Sequence, residues 1–322
     1  MRRLAVTGSS GRVGRALVAR LRGLGHVVIP IDVSPQDADT LVLDLNAPEG
    51  LREAFTGVDG VVHLAAFMSW DPGVANDVLR TNVNSTYNVL EAAAAAGVQR
   101  VAVGSSGEVY PENHPQYLPL DERHPTEPRT VYGLSKLLTE EVARFYARTT
   151  ALEVVILRFS HTQDAEELAD PESTMSGPRF FLAAKAAQQE RFGNHALAGE
   201  LRALDHGDGR MYIATSPEGV PFRMGICETR DLVEGIIRAL DAPGVSGEAI
   251  GIGAPRAASF DEIVLPIAAA LHRDVVKVPL PGPAVNYETS NSKASALLGY
   301  QPEWPIERMI DAAISAVESR KE

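Results

Sequence analysis

Short apolar segments alternate with amphipathic helical segments through the first half of the chain, and this rhythm constrains the fold most. "RLAVTG" (3–8), "HVVIPID" (26–32), "TLVLDL" (40–45), "GVVHLAA" (60–66), "RVAVGSS" (100–106) and "EVVILRFS" (153–160) read as six strands. Most are apolar at successive positions, as strands buried on both faces are. Between them lie helical patterns at 11–25, 48–55, 74–97 and from Tyr132 to about Thr149. In the first of these Val13, Leu17, Leu21 and Leu24 form one stripe, and Gly97 closes the third. Strand–helix alternation of this kind predicts a doubly wound α/β domain with a parallel sheet over residues 1–160. Past residue 160 the rhythm breaks. Residues 163–222 are richer in Pro, Gly and charge. The expected organisation is therefore a Rossmann-type domain at 1–160, to which 223–255 returns. A smaller mixed α/β substrate-binding region takes most of 161–322.

The first strand runs into Gly8-Ser9-Ser10-Gly11-Arg12-Val13-Gly14 and then a helix. Glycines at this spacing let the backbone turn sharply and approach a pyrophosphate at the helix N-terminus. Asp32 closes the second strand, 18 residues beyond Gly14. A carboxylate there accepts from ribose hydroxyls and repels a 2′-phosphate, which favours NAD over NADP.

The 322 residues carry a formal charge of −12 from 30 basic and 42 acidic side chains, which argues against a duplex-binding surface. No apolar run approaches the ~20 residues of a membrane span. The single cysteine, Cys227, permits no internal disulfide and fits a reducing compartment, so a cytoplasmic protein is expected. The eight histidines show no close metal-ligand spacing, and "DHGDG" (205–209) reads as a turn.

Further along, "GSSGEVY" (104–110) and "VYGLSK" (131–136) place Ser106, Tyr132 and Lys136 in order. Tyr132 and Lys136 are one helical turn apart. Together with "TGSSGRVG" (7–14), Asp32, "LDL" (43–45), "HLAA" (63–66) and "TNVNSTYNVLEAA" (81–93), these stretches resemble the extended short-chain dehydrogenase/reductase family, in its epimerase/dehydratase branch. Weaker echoes follow at 230–240 and 290–302.

The resemblance implies NAD as cofactor. Gly8, Ser10, Gly11, Arg12, Val13 and Gly14 would hold the pyrophosphate, with Asp44 and Leu45 by the adenine. Leu64, Ala65 and Ala66 would line the groove, and Asn82 would support the helix–sheet junction. Ser106, Tyr132 and Lys136 would be catalytic. Tyrosine, with an ordinary pKa near ~10, needs a nearby positive charge to serve as base. Glu108 stands where dehydratases of the family carry a second acid/base, though the Asp that commonly precedes it is Gly107 here.

The pattern departs from nucleotide-sugar enzymes in three places. His161 stands at the usual Asn, the following Gly-Pro is missing, and Leu280 takes the place of an arginine that grips a diphosphate. Arg223 approximates the other such arginine, and Arg179 is a further candidate, so His161, Arg179 and Arg223, with Ser106, are the expected substrate residues. Trp70 is expected at the substrate mouth and Trp304 in C-terminal packing.

The expected function is an NAD-dependent epimerase or dehydratase acting at a carbinol of a sugar or nucleotide sugar. A dehydrogenase of a free sugar, sugar acid or polyol, releasing NADH, is the alternative. An NAD-binding sensor or scaffold without catalysis is a third reading. The resemblance also implies a homodimer through the 74–97 and Tyr132 helices, a small-molecule substrate, and no nucleic-acid or membrane partner.

Overall fold

The computed structural model describes residues 1–111 and 114–319. The chain divides into two compact units. The first contains Met1–Ser160, Thr229–Gly253 and Ser290–Gln301; the second contains His161–Glu228, Ala254–Thr289 and Pro302–Glu322.

The first unit is built on seven strands, of which six precede residue 160: β1 (Arg3–Thr7), β2 (Val27–Asp32), β3 (Leu41–Val42), β4 (Gly60–His63), β5 (Arg100–Ser106) and β6 (Glu153–Phe159). The seventh is Ala249–Ile252. All pair in parallel, and the order is β3-β2-β1-β4-β5-β6 and then the seventh. Strand order reverses between β1 and β4, the switch point where open sheets of this type leave a crevice at their carboxyl ends. Four helices alternate with these strands: α1 (Arg12–Gly23), α2 (Leu51–Ala54), α3 (Ala75–Ala96) and α4 (Val131–Thr149). Helix Thr229–Asp241 packs on α1. The core beneath α3 and α4 is assembled from Val61, Val89, Leu90, Val101, Val103, Val154 and Ile156, none more than 1% exposed.

Three local expectations change. The third strand spans two residues rather than six, because it is the exposed sheet edge with β2 as its only neighbour. Helix α2 is four residues long. Leu24 lies beyond the end of α1 and is 44% exposed, while Val18 completes the buried stripe with Leu17 and Leu21. Helix α3 ends as its sequence indicates, with Gly97 at φ +73°, where a side chain would be strained.

The second unit carries three small sheets. His161–Gln163 pairs in parallel with Ile226–Glu228, and Met211–Thr215 with Val275–Pro279. Arg223–Met224 lies between Ala258–Ser259 and Asn286–Tyr287. Its helices are led by Phe260–Leu271, opened by a capping box of Ser259 and Glu262, and by Ile306–Ser319. Cys227 is buried here. The Arg308 guanidinium stacks 3.9 Å from the Trp304 ring centre.

Candidate active site

At the end of β1 the chain turns through Gly8, whose φ is +69°. A Cβ on Gly8 would lie 2.6 Å from the Ala65 nitrogen, and one on Gly14 would lie 2.1 Å from the Gly8 oxygen. No side chain larger than hydrogen fits at either position. As at any helix start, the first backbone N–H groups of α1 have no partner within the helix. The Ser9 and Ser10 hydroxyls are buried there without a hydrogen-bond partner. Arg12 and Val13 form the first turn of α1. Asp32 leaves β2 with one carboxylate oxygen accepting from the Ser10 N–H at 3.0 Å and the other from the Ser34 N–H at 3.0 Å. A cradle of this shape, with donors to spare and a carboxylate beside it, fits a dinucleotide.

Further around the same crevice, Asp44 organises a turn by accepting from the Asn46 N–H at 2.9 Å. Leu45 is buried, and its carbonyl accepts from Asn88 at 2.8 Å. Leu64, Ala65 and Ala66 continue from β4, with Leu64 and Ala65 half-buried and Ala66 exposed.

His63 ties these parts together. It is buried, with Nδ1 2.8 Å from the Thr7 hydroxyl and Nε2 3.1 Å from the Thr86 hydroxyl. Thr86 donates its own proton to the Asn82 carbonyl at 2.8 Å, so it accepts from Nε2–H and Nδ1 accepts from Thr7. Burial, assisted by the Lys136 charge, pushes the imidazole down to about 3, so it is neutral. Asn82 continues the chain. Its amide donates to the Phe67 carbonyl at 3.1 Å and to Ser135 at 2.9 Å, and Ser135 donates to the Tyr132 carbonyl at 2.7 Å. One hydrogen-bonded path thus runs from the glycine turn to α4.

Thr130 caps α4 by accepting from the Gly133 N–H at 2.9 Å. Tyr132 and Lys136 follow on one face, both less than 10% exposed. The Ser106 side chain at the end of β5 lies beside the Tyr132 phenol and favours its ionised form. The Lys136 ammonium donates to the Gly104 carbonyl at 2.8 Å and sits 5.8 Å from the Tyr132 ring centre. Burial, and then the Glu108 charge, pushes the Tyr132 phenol upward. Burial pushes Lys136 down to about 8, against the opposing pull of Glu140. The structure therefore brings Ser106, Tyr132 and Lys136 together. Glu108 lies beside them in a single 3-10 turn, Gly107–Val109.

Sequence reading missed the buried pair behind this cluster. Glu140, one turn past Lys136, accepts from Ser105 at 2.7 Å and from Arg158 through two bonds of 2.8 Å. Arg144 adds a further bond at 2.8 Å, and Arg158 reaches the Tyr110 hydroxyl at 2.8 Å. Glu140 is held well below its usual carboxylate range: the Arg158 hydrogen bonds and charge, with help from Ser105 and Arg144, outweigh burial, which alone would raise it. The available signal was a glutamate four residues beyond the lysine on the same helix face.

Of the expected substrate residues, Ser106 belongs to the first unit and His161, Arg179 and Arg223 to the second. His161 packs edge-on against Tyr287 at 4.7 Å, and burial, then the Arg179 charge, lowers it to about 3. Arg179 donates to Gln163 at 3.0 Å. Arg223 donates to the Ala257 carbonyl at 3.3 Å and lies 3.9 Å from Glu262. Among the described residues, no group of three or more His, Cys, Asp and Glu side chains could hold a metal.

A doubly wound sheet with a glycine cradle, and a serine, tyrosine and lysine converging at its carboxyl edge, defines a short-chain dehydrogenase/reductase. The sequence pattern of the NAD dependent epimerase/dehydratase family matches residues 4–253, and the chain belongs to that family. Over 183 residues it is 37% identical to the L-arabinose 1-dehydrogenase (NAD(P)(+)) of Haloferax volcanii, covering 53% of this chain and 71% of that one. It is 30% identical over 162 residues to the uronate dehydrogenase of Pseudomonas putida, covering 48% and 59%. The match to the putative UDP-glucose 4-epimerase of Methanocaldococcus jannaschii is 33% identical and covers 52% and 58%. This chain thus spans between about half and about 70% of these relatives' lengths. A solved short-chain dehydrogenase/reductase superfamily protein of Agrobacterium tumefaciens, with NAD bound, is 46% identical and superimposes with a TM-score of 0.95 over 99% of this chain and 98% of its own.

Proposed function

We propose that this protein oxidises a carbinol of a free sugar, sugar acid or polyol with NAD, releasing NADH. The observation that carries this is the convergence of the Ser106 and Tyr132 hydroxyls with the Lys136 ammonium one turn behind. In this reading Ser106 orients the reacting hydroxyl and Tyr132 takes its proton as base. Lys136 favours the phenolate by its charge and holds the nicotinamide ribose. When bound, oxidised NAD supplies the hydride acceptor and a second positive charge beside the phenol. Gly8, Ser10, Gly11, Arg12, Val13 and Gly14 hold its pyrophosphate, and Asp32 accepts from the adenosine ribose. Asp44, Leu45, Leu64, Ala65 and Ala66 line the remainder, and Asn82 braces α4. Equal affinity for NAD and NADP would remove the role given to Asp32.

A substrate without a nucleotide is favoured by two features. Leu280 takes the place of one diphosphate arginine, and the Arg223 guanidinium is already engaged by Ala257 and Glu262. The likeness to L-arabinose and uronate dehydrogenases supports the same choice. His161 and Arg179 are then substrate residues of the second unit.

The second reading, internal return of the hydride in an epimerase or dehydratase, is favoured by the acidic Glu108 two residues past Ser106. Both readings are tested by following absorbance at 340 nm while protein and NAD meet free sugars, sugar acids and nucleotide sugars, with product identified by mass. NADH accumulating with an oxidised product is expected. New product from a nucleotide sugar without net NADH overturns the dehydrogenase.

The same reading includes a cytoplasmic homodimer. It is supported by the lone buried Cys227 and by exposed Tyr87 on α3 and Leu134, Leu138 and Phe145 on α4. A monomer mass in light scattering would remove the dimer, and recovery of the protein outside the cytoplasmic fraction of its host would remove the compartment.

A further inference from the structure

Glu108 is surrounded by neutral donors. Its Oε2 accepts from the Thr130 hydroxyl at 2.6 Å, and the Trp70 indole N–H lies 3.0 Å from Oε1 and 3.1 Å from Oε2. Thr130 is the donor, because an ionised carboxylate can only accept, and the Thr130 oxygen meanwhile accepts from Gly133 as the cap of α4. Indole N–H can only donate. A carboxylate offers about four acceptor positions, so capacity is left over. The backbone N–H of Glu108 donates to the Ser106 hydroxyl at 3.1 Å. That places the carboxylate two residues from one reacting hydroxyl, while its charge is felt at the other, Tyr132. Trp70 meets the Tyr132 ring edge-on, with centres 6.4 Å apart, and is 45% exposed. The phenol thus has near it an acceptor with capacity to spare and an aromatic surface open to solvent.

Resting on the carbinol reading above, we propose that Glu108 and Trp70 select a vicinal diol. Glu108 accepts a hydrogen bond from the substrate hydroxyl next to the reacting carbinol, and the indole packs on the C–H side of the same carbons. The ligand class is a polyhydroxylated carbon ring or chain with a free hydroxyl at that neighbouring carbon. A carboxylate or phosphate on such a substrate lies on the side away from Glu108, which would repel it. Burial raises the Glu108 carboxyl while the Thr130 and Trp70 hydrogen bonds lower it, so a donor arriving from the substrate steadies its ionised form.

The test uses the full chain loaded with NADH, so that binding is read without turnover. Calorimetry compares L-arabinose and D-galactose with their 2-deoxy analogues, which lack the hydroxyl beside a reacting C1 carbinol, in wild type, Glu108→Gln and Trp70→Phe. A hydrogen bond to a charged group predicts that wild type prefers each hydroxyl compound by about 10- to 100-fold. In Glu108→Gln that preference falls by several-fold, to about 2- to 10-fold, the range left to a neutral acceptor. Trp70→Phe weakens both members of each pair equally and keeps the preference. A preference unchanged by Glu108→Gln, or absent from wild type, overturns the proposal. Binding that keeps the preference while no panel compound yields NADH overturns only the dehydrogenase reading. No binding by any of the four removes the sugar-like reading and this inference with it.

Discussion

Burial and then the Glu108 charge raise the Tyr132 phenol in the free protein, and Ser106 offsets them only in part. Phenolate then depends on the ammonium one turn away and on cofactor charge. Two outcomes follow from the residues alone. Tyr132→Phe removes the base while keeping the ring, so turnover falls by about 10²- to 10⁴-fold with NADH affinity unchanged. Steady-state rates and NADH fluorescence titration check this, and wild-type turnover in the variant would defeat the assignment. Lys136 is a cation held down to about 8 by burial. It is charged below that pH and neutral above it, so kcat/KM declines as pH rises through about 8. Lys136→Arg, whose guanidinium stays charged, moves that decline to higher pH. A decline that ignores the substitution belongs to another group.

Among elements, the contact between α4 and the 3-10 turn after β5 sets the distance between the Ser106 and Tyr132 hydroxyls. Gly133 is the point of closest approach: a Cβ there would lie 2.3 Å from the Glu108 carbonyl oxygen. Gly133→Ala therefore pushes α4 off the turn. It lowers kcat by about 100-fold, the scale of a 1 Å misplacement, with NADH affinity retained. Normal kcat in this variant would show that the helix absorbs the strain. His63 acts between β1, β4 and α3. Its pKa is about 3 in the folded chain against 6.5 in the unfolded one, so the unfolded chain binds the proton between those values. Stability is then lost as pH falls through this window, by about 1.4 kcal/mol per pH unit. Urea unfolding at pH 6.5 and pH 5 measures it. His63→Gln is less stable at pH 6.5 and loses about 2 kcal/mol less between the two.

For the whole molecule, continuity along the chain is a poor guide to what folds together. The first unit takes its seventh strand and the Thr229–Asp241 helix from beyond residue 228. The seventh strand completes β6, and Arg100 caps the carbonyls of Ala239 and Ala242 at 3.1 and 2.7 Å. A chain ending at Ser160 would leave the β6 edge bare and that arginine without its carbonyls. Such a truncation gives no cooperative thermal transition, whereas the full chain shows one that rises with NAD. Saturation at ~100 times Kd adds about 2.7 kcal/mol. A cooperative transition in the truncated chain, shifted by NAD, would show that residues 1–160 suffice.

Much of the first unit was legible because its signals are local. Apolar runs reveal strands, and a glycine with positive φ reveals itself by being glycine, as at Gly8 and Gly97. The Ser106, Tyr132 and Lys136 set was legible through motif spacing. Edge strand β3 was misjudged, since composition does not tell how many neighbours a strand will have. The buried Glu140–Arg158 pair was also missed. Its members are 18 residues apart in sequence, on a helix and a strand, and a glutamate on a helix reads as solvated until something covers it. The Glu108–Trp70 contact spans 38 residues and joins two segments without regular periodicity. Local chemistry by itself determined the layered sheet, the glycine turn and which side chains are candidates for the reaction. Only the tertiary structure decided which donors meet which acceptors around them, because those pairings depend on distances the chain acquires when its β-strands and helices are packed.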